Sequence, residues 1–258
     1  MIHAQITMRS VVLEMDTKVD VLLPEDRHKT EDLRGKKYPV LYVLHGYKDD
    51  NASWLHLSNI FLMCRDLDLI VVFPSVHNSF YADMKYGFDY YTYVVEELPM
   101  KLKNYLPITD DPKQTFVMGN SMGGYGTLKL ALGNPDKFGK AVALSGGLIN
   151  RRISDNKLSI GAYGSQEEYE KSDNNLVNLV KKLQDYKGDL PELQIYCGTE
   201  DRAIEGCLAM ADLLRNMLPQ MKVNEEYWKG EHNFQFWNEA IPKALNFFGF
   251  EIKQNSVI

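Results

Sequence analysis

Residues 116–132 read FVMGNSMGGYGTLKLAL: an apolar run, one serine at position 121, glycines at 119, 123, 124 and 126, then a helical pattern. Gly119, Ser121 and Gly123 form G-x-S-x-G where a strand gives way to a helix, which is the context that gives this motif its meaning. A serine there sits on a sharp turn with strained backbone angles, and any side chain at 119 or 123 collides with the neighbouring strand or helix. Gly124 and Gly126 fall in the first helical turn, where small residues allow close packing on a sheet; glycine otherwise costs about 1 kcal/mol per helical position. A phosphate-binding turn is the competing reading. The spacing G-x-G-x-x-G is absent and no P-loop lysine follows, so the motif is read as a nucleophile's turn.

A serine hydroxyl is a poor nucleophile until a base takes its proton, so a histidine and an acid are expected downstream in the order Ser, Asp or Glu, His. Of six histidines only His232 follows Ser121, in EHNFQFW, between the last strand candidate and the last helix. His3, His28, His56 and His77 precede the serine and read as solvated or structural. Glu200 and Asp201 stand together just past the strand run ending at Cys197, 31 residues or slightly more before the histidine. Both are candidates for the orienting acid. Asp201 is preferred for its loop position and shorter side chain.

A tetrahedral intermediate needs two donors aimed at its oxyanion. The backbone N–H of Met122, directly after the serine, is one. The other is expected from VLHGYKDDNASW, where Gly46 lets the chain turn and the N–H of Tyr47 faces the site; His45 beside it reads as a structural loop contact.

Outward from this centre the chain alternates strand-like and helix-like runs. QITMRSVVLEM and TKVDVLLP read as an opening antiparallel pair. YPVLYVLHG, DLIVVFPS and QTFVMGN are nearly continuous apolar runs suited to strands buried on both faces of a parallel sheet, and KAVALSGG, ELQIYCGTE and VNEEYWKG follow later. Helical spacing marks YVVEELPMKLKNYL, IEGCLAMADLLRNML and WNEAIPKALNFFGF. The expected fold is α/β with a mostly parallel central sheet, in one domain over residues 1–258. Residues 148–191 break the rhythm: they are polar, long for a connection, carry a weak helix near 175–186, and include Tyr163 and Tyr169. This insertion emerges on the same sheet edge as Ser121, which makes it a candidate cap over the site with the two tyrosines as walls.

Composition narrows the partners. The 258 residues are 45% hydrophobic and 25% charged, with a net charge of −6 and no basic stripe, so nucleic acid is not expected. No run approaches the roughly 18 apolar residues of a membrane span, and no signal-like N-terminus appears, so the expectation is a cytoplasmic protein. Cys64, Cys197 and Cys207 are odd in number and lack metal-ligand spacing; buried thiols are expected, with no metal and no organic cofactor.

Taken together, LHGY with NASWL, SFYADMKYG leading to YVVEELP, GNSMGGYGTLKLAL, GTED and EHNFQFW resemble the esterase D family of α/β-hydrolases, which includes S-formylglutathione hydrolases, tributyrin-type carboxylesterases and related feruloyl and acetylxylan esterases. The resemblance spans about residues 40–248. It implies Ser121 as nucleophile, Asp201 and His232 as its partners, and Tyr47 and Met122 as oxyanion donors, in agreement with the residue-level reading. The implied activity is hydrolysis of short-chain acyl esters through an acyl-enzyme, with a homo-oligomer as the implied assembly. Asn233, where many relatives carry Asp, and His77 in PSVHNSFY depart from the pattern and bear on substrate preference. Trp54, Phe80, Tyr81 and Trp237 are candidates to shape a small acyl pocket. An acyltransferase would share the same catalytic residues, and a non-catalytic binding protein on this fold need not retain all three.

Overall fold

The structure is a computed structural model that describes residues 1–25, 35–147, 152–153 and 157–252. His28 and part of the insertion, 148–151 and 154–156, lie outside the described residues.

The described residues form eight strands: β1 (Ile2–Ser10), β2 (Met15–Leu23), β3 (Val40–Leu44), β4 (Ile70–Pro74), β5 (Thr115–Asn120), β6 (Lys140–Leu144), β7 (Glu192–Gly198) and β8 (Val223–Trp228). They make one sheet in the order β1-β2-β4-β3-β5-β6-β7-β8. The pairs β1/β2 and β2/β4 are antiparallel and every later pair is parallel. This is the α/β-hydrolase fold. Every residue of VLYVL in β3 and IVVFP in β4 is buried, as expected for strands covered on both faces, while β1 at the edge alternates between exposed and partly buried positions. The first strand starts and ends earlier than its composition suggested. Residues 11–14 turn, with Glu14 at φ 53°, and the apolar VVLEM is split between that turn and β2.

The helices are α1 (Ser53–Leu57), α2 (Ile60–Cys64), α3 (Tyr90–Thr92), α4 (Leu98–Lys103), α5 (Met122–Gly133), α6 (Lys157–Tyr163), α7 (Gln166–Lys171), α8 (Leu176–Leu183), α9 (Ile204–Met217) and α10 (Phe234–Phe248). Between α3 and α4 the chain widens into a π turn at Tyr93–Glu97, just ahead of Pro99, which has no N–H to give to the carbonyl four residues back. One core layer joins the sheet to α3, α4, α5, α8 and α9 through Tyr90, Leu98, Leu128, Leu179 and Met210. The other joins it to α1, α2 and α10 through Trp54, Ile60, Phe236, Trp237 and Ile241.

Part of the insertion packs against the first layer. Tyr163, Tyr169, Leu176 and Val180 are buried, and α7 opens with a capping box in which Ser165 accepts from the Glu168 N–H and Glu168 from the Ser165 N–H. The helix expected near 175–186 is α8, with Asn175 as its cap.

Candidate active site

The parallel strands bring their C-terminal ends to one edge of the sheet, and the site is assembled there. Leu44 lies in register with Gly119, Asn120 with Leu144, and Leu144 with Tyr196. Residues immediately past these positions therefore meet, although they are far apart in sequence.

Ser121 caps α5 at φ 54° and ψ −114°, a conformation that residues other than glycine rarely adopt. Its N–H donates to the Leu144 carbonyl at 2.9 Å, and its carbonyl accepts from the Tyr125 N–H at 3.0 Å, so the turn is fixed from both sides. A Cβ at position 119 would stand 2.6 Å from the Gly123 carbonyl oxygen, and one at 123 would overlap the Leu44 carbonyl. These clashes explain the glycines that flank the serine.

His232 lies between β8 and α10, with its ring edge-on to Trp237 at 5.2 Å. Its Nε2 is 2.8 Å from Ser121 Oγ, and its Nδ1 is 2.8 and 3.0 Å from the two carboxylate oxygens of Asp201. An ionised carboxylate only accepts, so the ring proton belongs on Nδ1. That leaves the Nε2 lone pair for the serine hydroxyl.

Asp201 is buried. Burial works against its charge, but bonds from His232, the Ala203 N–H and the Ser145 hydroxyl outweigh this and hold its carboxyl below the usual carboxylate range. Glu200, by contrast, is exposed and stands 4.0 Å from Lys229. Of the two candidate acids, Asp201 is the one in contact with the histidine.

Ser145, at the end of β6, was not among the residues singled out from the sequence. It takes φ 53°, receives the Trp237 indole N–H at 3.1 Å, and its hydroxyl helps hold the Asp201 carboxyl down. Its signal was the serine of KAVALSGG, just past the strand that neighbours the one leading to Ser121.

Met122 begins α5, so its N–H is among the first-turn donors that have no partner within the helix. Tyr47 follows Gly46 in a loop held by His45, whose Nδ1 bonds the Gly46 carbonyl at 2.8 Å and whose Nε2 accepts from Val76 N–H at 3.1 Å. The Tyr81 hydroxyl donates to the His45 carbonyl at 2.9 Å. Burial pushes the His45 pKa down to about 4, which keeps the ring neutral in its structural role.

The aromatic candidates separate by position. Trp54 is enclosed in the core, donating to the Leu44 carbonyl at 3.2 Å. Tyr81 is fully buried, its ring filling the space left by Gly126. Phe80 lies between Tyr47, stacked at 6.0 Å, and Tyr163 at 5.6 Å. Trp237 touches the histidine ring. Among the described residues, Cys64, Cys197 and Cys207 are buried free thiols. No helix among them is long and apolar enough to cross a membrane.

The fold and this arrangement define the class: a serine hydrolase that acts on carboxylic esters. The chain belongs to the esterase family described as "Putative esterase", whose model matches residues 10–248. It is 30% identical over 256 residues to an acetyl esterase of Caldicellulosiruptor saccharolyticus, covering 93% of this chain and 96% of that relative. Its structure is similar to FphF, a fluorophosphonate-binding serine hydrolase of Staphylococcus aureus, with TM-score 0.88 and 28% identity over 96% of this chain and 98% of that one. It is also similar to the S-formylglutathione hydrolase FrmB of the same organism, with TM-score 0.83, 27% identity and the same coverage.

Proposed function

We propose that this chain is a carboxylesterase that hydrolyses short-chain acyl esters, with Ser121, His232 and Asp201 as its catalytic triad. The observation that carries the reading is the continuous hydrogen-bond line from Ser121 Oγ through both nitrogens of His232 to Asp201, starting from a serine in a strained turn. The preference for short acyl groups rests on similarity to an acetyl esterase.

In this mechanism His232 Nε2 takes the Ser121 proton as Oγ attacks the ester carbonyl carbon. The Tyr47 and Met122 N–H groups stabilise the oxyanion, while Asp201 orients and stabilises the imidazolium. The imidazolium then protonates the alcohol as its C–O bond breaks. Water, deprotonated by the same nitrogen, attacks the acyl-serine and releases the acid, restoring Ser121.

Trp237 and Phe80 are assigned to the substrate pocket, with Trp54 and Tyr81 supporting it from behind. Residues 148–191 are assigned as the cap, within one domain that spans the chain and works in the cytoplasm.

The test is fluorophosphonate labelling of wild type and Ser121→Ala, with turnover of p-nitrophenyl esters of increasing chain length beside S-formylglutathione. Labelling at a residue other than Ser121, or turnover that survives Ser121→Ala, would refute the triad. Preference for the glutathione thioester would replace the ester reading with the activity for which FrmB is named.

A further inference from the structure

Lys129 stands two turns along α5 from Ser121 and is only 3% exposed. Its ammonium donates to the Tyr81 carbonyl at 2.7 Å and to Asn174 Oδ1 at 2.5 Å, and lies 4.8 Å from the centre of the Tyr91 ring. The nearby acids are engaged elsewhere: Asp83 accepts from the Thr92 N–H and hydroxyl, and Asp173 from Lys182. The buried nitrogen is thus held by neutral acceptors from three separate segments. Burial pushes its pKa down to about 7, with Asp83 and Asp173 pulling the other way. Protonated or neutral, the amine keeps at least two N–H donors, enough for both oxygen acceptors.

A buried amine is a costly way to fill space, because an apolar side chain packs there with no polar group to desolvate. What this amine grips gives it a reason. Phe80 and Tyr81 are consecutive residues at φ 54° and 51°, a turn that persists only when its surroundings hold it. The Tyr81 carbonyl is bonded to Lys129, the Tyr81 ring packs on Gly126 of the same helix, and its hydroxyl reaches the His45 carbonyl beside the Tyr47 loop. Phe80, fixed by that turn, is flanked by Tyr47 on one side and Tyr163 of α6 on the other. The segment between β6 and β7 is tied to the same helix twice, since Tyr125, one turn before Lys129, donates its hydroxyl to the Asn174 backbone carbonyl at 2.5 Å.

We propose that Lys129 is a positioning residue that locks the Phe80–Tyr81 turn and Asn174 onto the nucleophile's helix, forming one wall of the acyl site and thereby setting the acyl length accepted. The proposal rests on the esterase reading above. It acts through Phe80, and the amine itself meets no reacting atom.

Lys129→Met keeps most of the side chain's length and removes its N–H donors, while Asn174→Ala removes one acceptor at a half-buried position without emptying the core. Both are compared with wild type by kcat and KM for p-nitrophenyl acetate and p-nitrophenyl octanoate, with the rate of fluorophosphonate labelling at Ser121 as a separate readout. The loosened wall is expected to lower KM for octanoate with little change in kcat, so that the acetate-to-octanoate ratio of kcat/KM falls about fivefold or more. A smaller change in that ratio in a folded variant, or an equal loss on both esters, overturns the proposal. If Lys129→Met does not fold, the Asn174→Ala result decides alone. Failure of the esterase reading is distinct, since wild type itself would then neither label at Ser121 nor hydrolyse either ester.

Discussion

Trp237 donates its indole N–H to Ser145 at 3.1 Å, and the Ser145 hydroxyl is among the groups that hold the Asp201 carboxyl below its usual range, so α10 is linked to the acid through a second side chain. The acid is therefore steadied by a chain of side chains as well as by the histidine. Ser145→Ala removes one donor from the carboxylate and leaves the indole without its acceptor, without altering the demand for a positive φ. A bond to a charged group contributes about 1.5–3 kcal/mol, so kcat for p-nitrophenyl acetate is expected to fall about 10- to 100-fold with KM little changed. A kcat equal to wild type would show that Asp201 needs no second tether.

Ser121→Ala and Ser121→Gly should both lose turnover by several orders of magnitude, leaving at most roughly 10³ to 10⁴ over water from binding and the oxyanion donors. Their stabilities discriminate further. At φ 54° and ψ −114° glycine is unstrained and alanine is not, so Ser121→Gly should be at least as stable as Ser121→Ala in urea. At an ordinary helical position the same exchange costs about 1 kcal/mol. A clear deficit for the glycine variant would mean the turn stores no strain.

Asp201→Asn is expected to cost on the order of 10⁴ in kcat, because an amide can donate to the ring and favour the wrong tautomer. Glu200→Gln, altering an exposed residue, should stay within about threefold of wild type. The reversed order in steady-state kinetics would assign the orienting role to Glu200.

His45 makes stability depend on pH. Its folded pKa of about 4 lies below the ordinary histidine value, so between about 6.5 and 4 the unfolded chain binds a proton that the folded protein refuses. The sign follows: its contribution is complete above 6.5 and is lost as pH falls through that window, reaching about 3 kcal/mol. Urea unfolding across the window should be flatter for His45→Asn than for wild type. Parallel profiles would place the acid sensitivity elsewhere.

What the chain disclosed beforehand and what it withheld follow from the range of each signal. The eight strand runs were readable because continuous apolar stretches such as VLYVL and IVVFP have few other uses. Ser121 stood out by its glycines, and chain order left His232 as the single downstream histidine. The short helices α1, α2, α6 and α7, five to seven residues each, are too brief to show a period and form only because neighbours cover them. Ser145 and Lys129 were hidden for another reason. Nothing local marks either one, and their partners Trp237 and Asn174 come from distant segments. The aromatic candidates show the converse limit, since closeness in sequence to a motif does not reveal that Trp54 and Tyr81 turn into the core.

The shared register of the sheet also bears on how this enzyme comes into being. Ser121 and His232 are 111 residues apart, and their meeting depends on β5, β6, β7 and β8 all being aligned, from Asn120 beside Leu144 to Gly198 beside Trp228. Parallel neighbours of this kind close only after long crossovers, so such contacts are slow to form and come late in folding. A collapsed intermediate lacking any one of these pairings has the serine but no aligned base. Recovery of turnover after dilution from denaturant therefore times the completion of the whole sheet, and lags any signal that reports helix content alone.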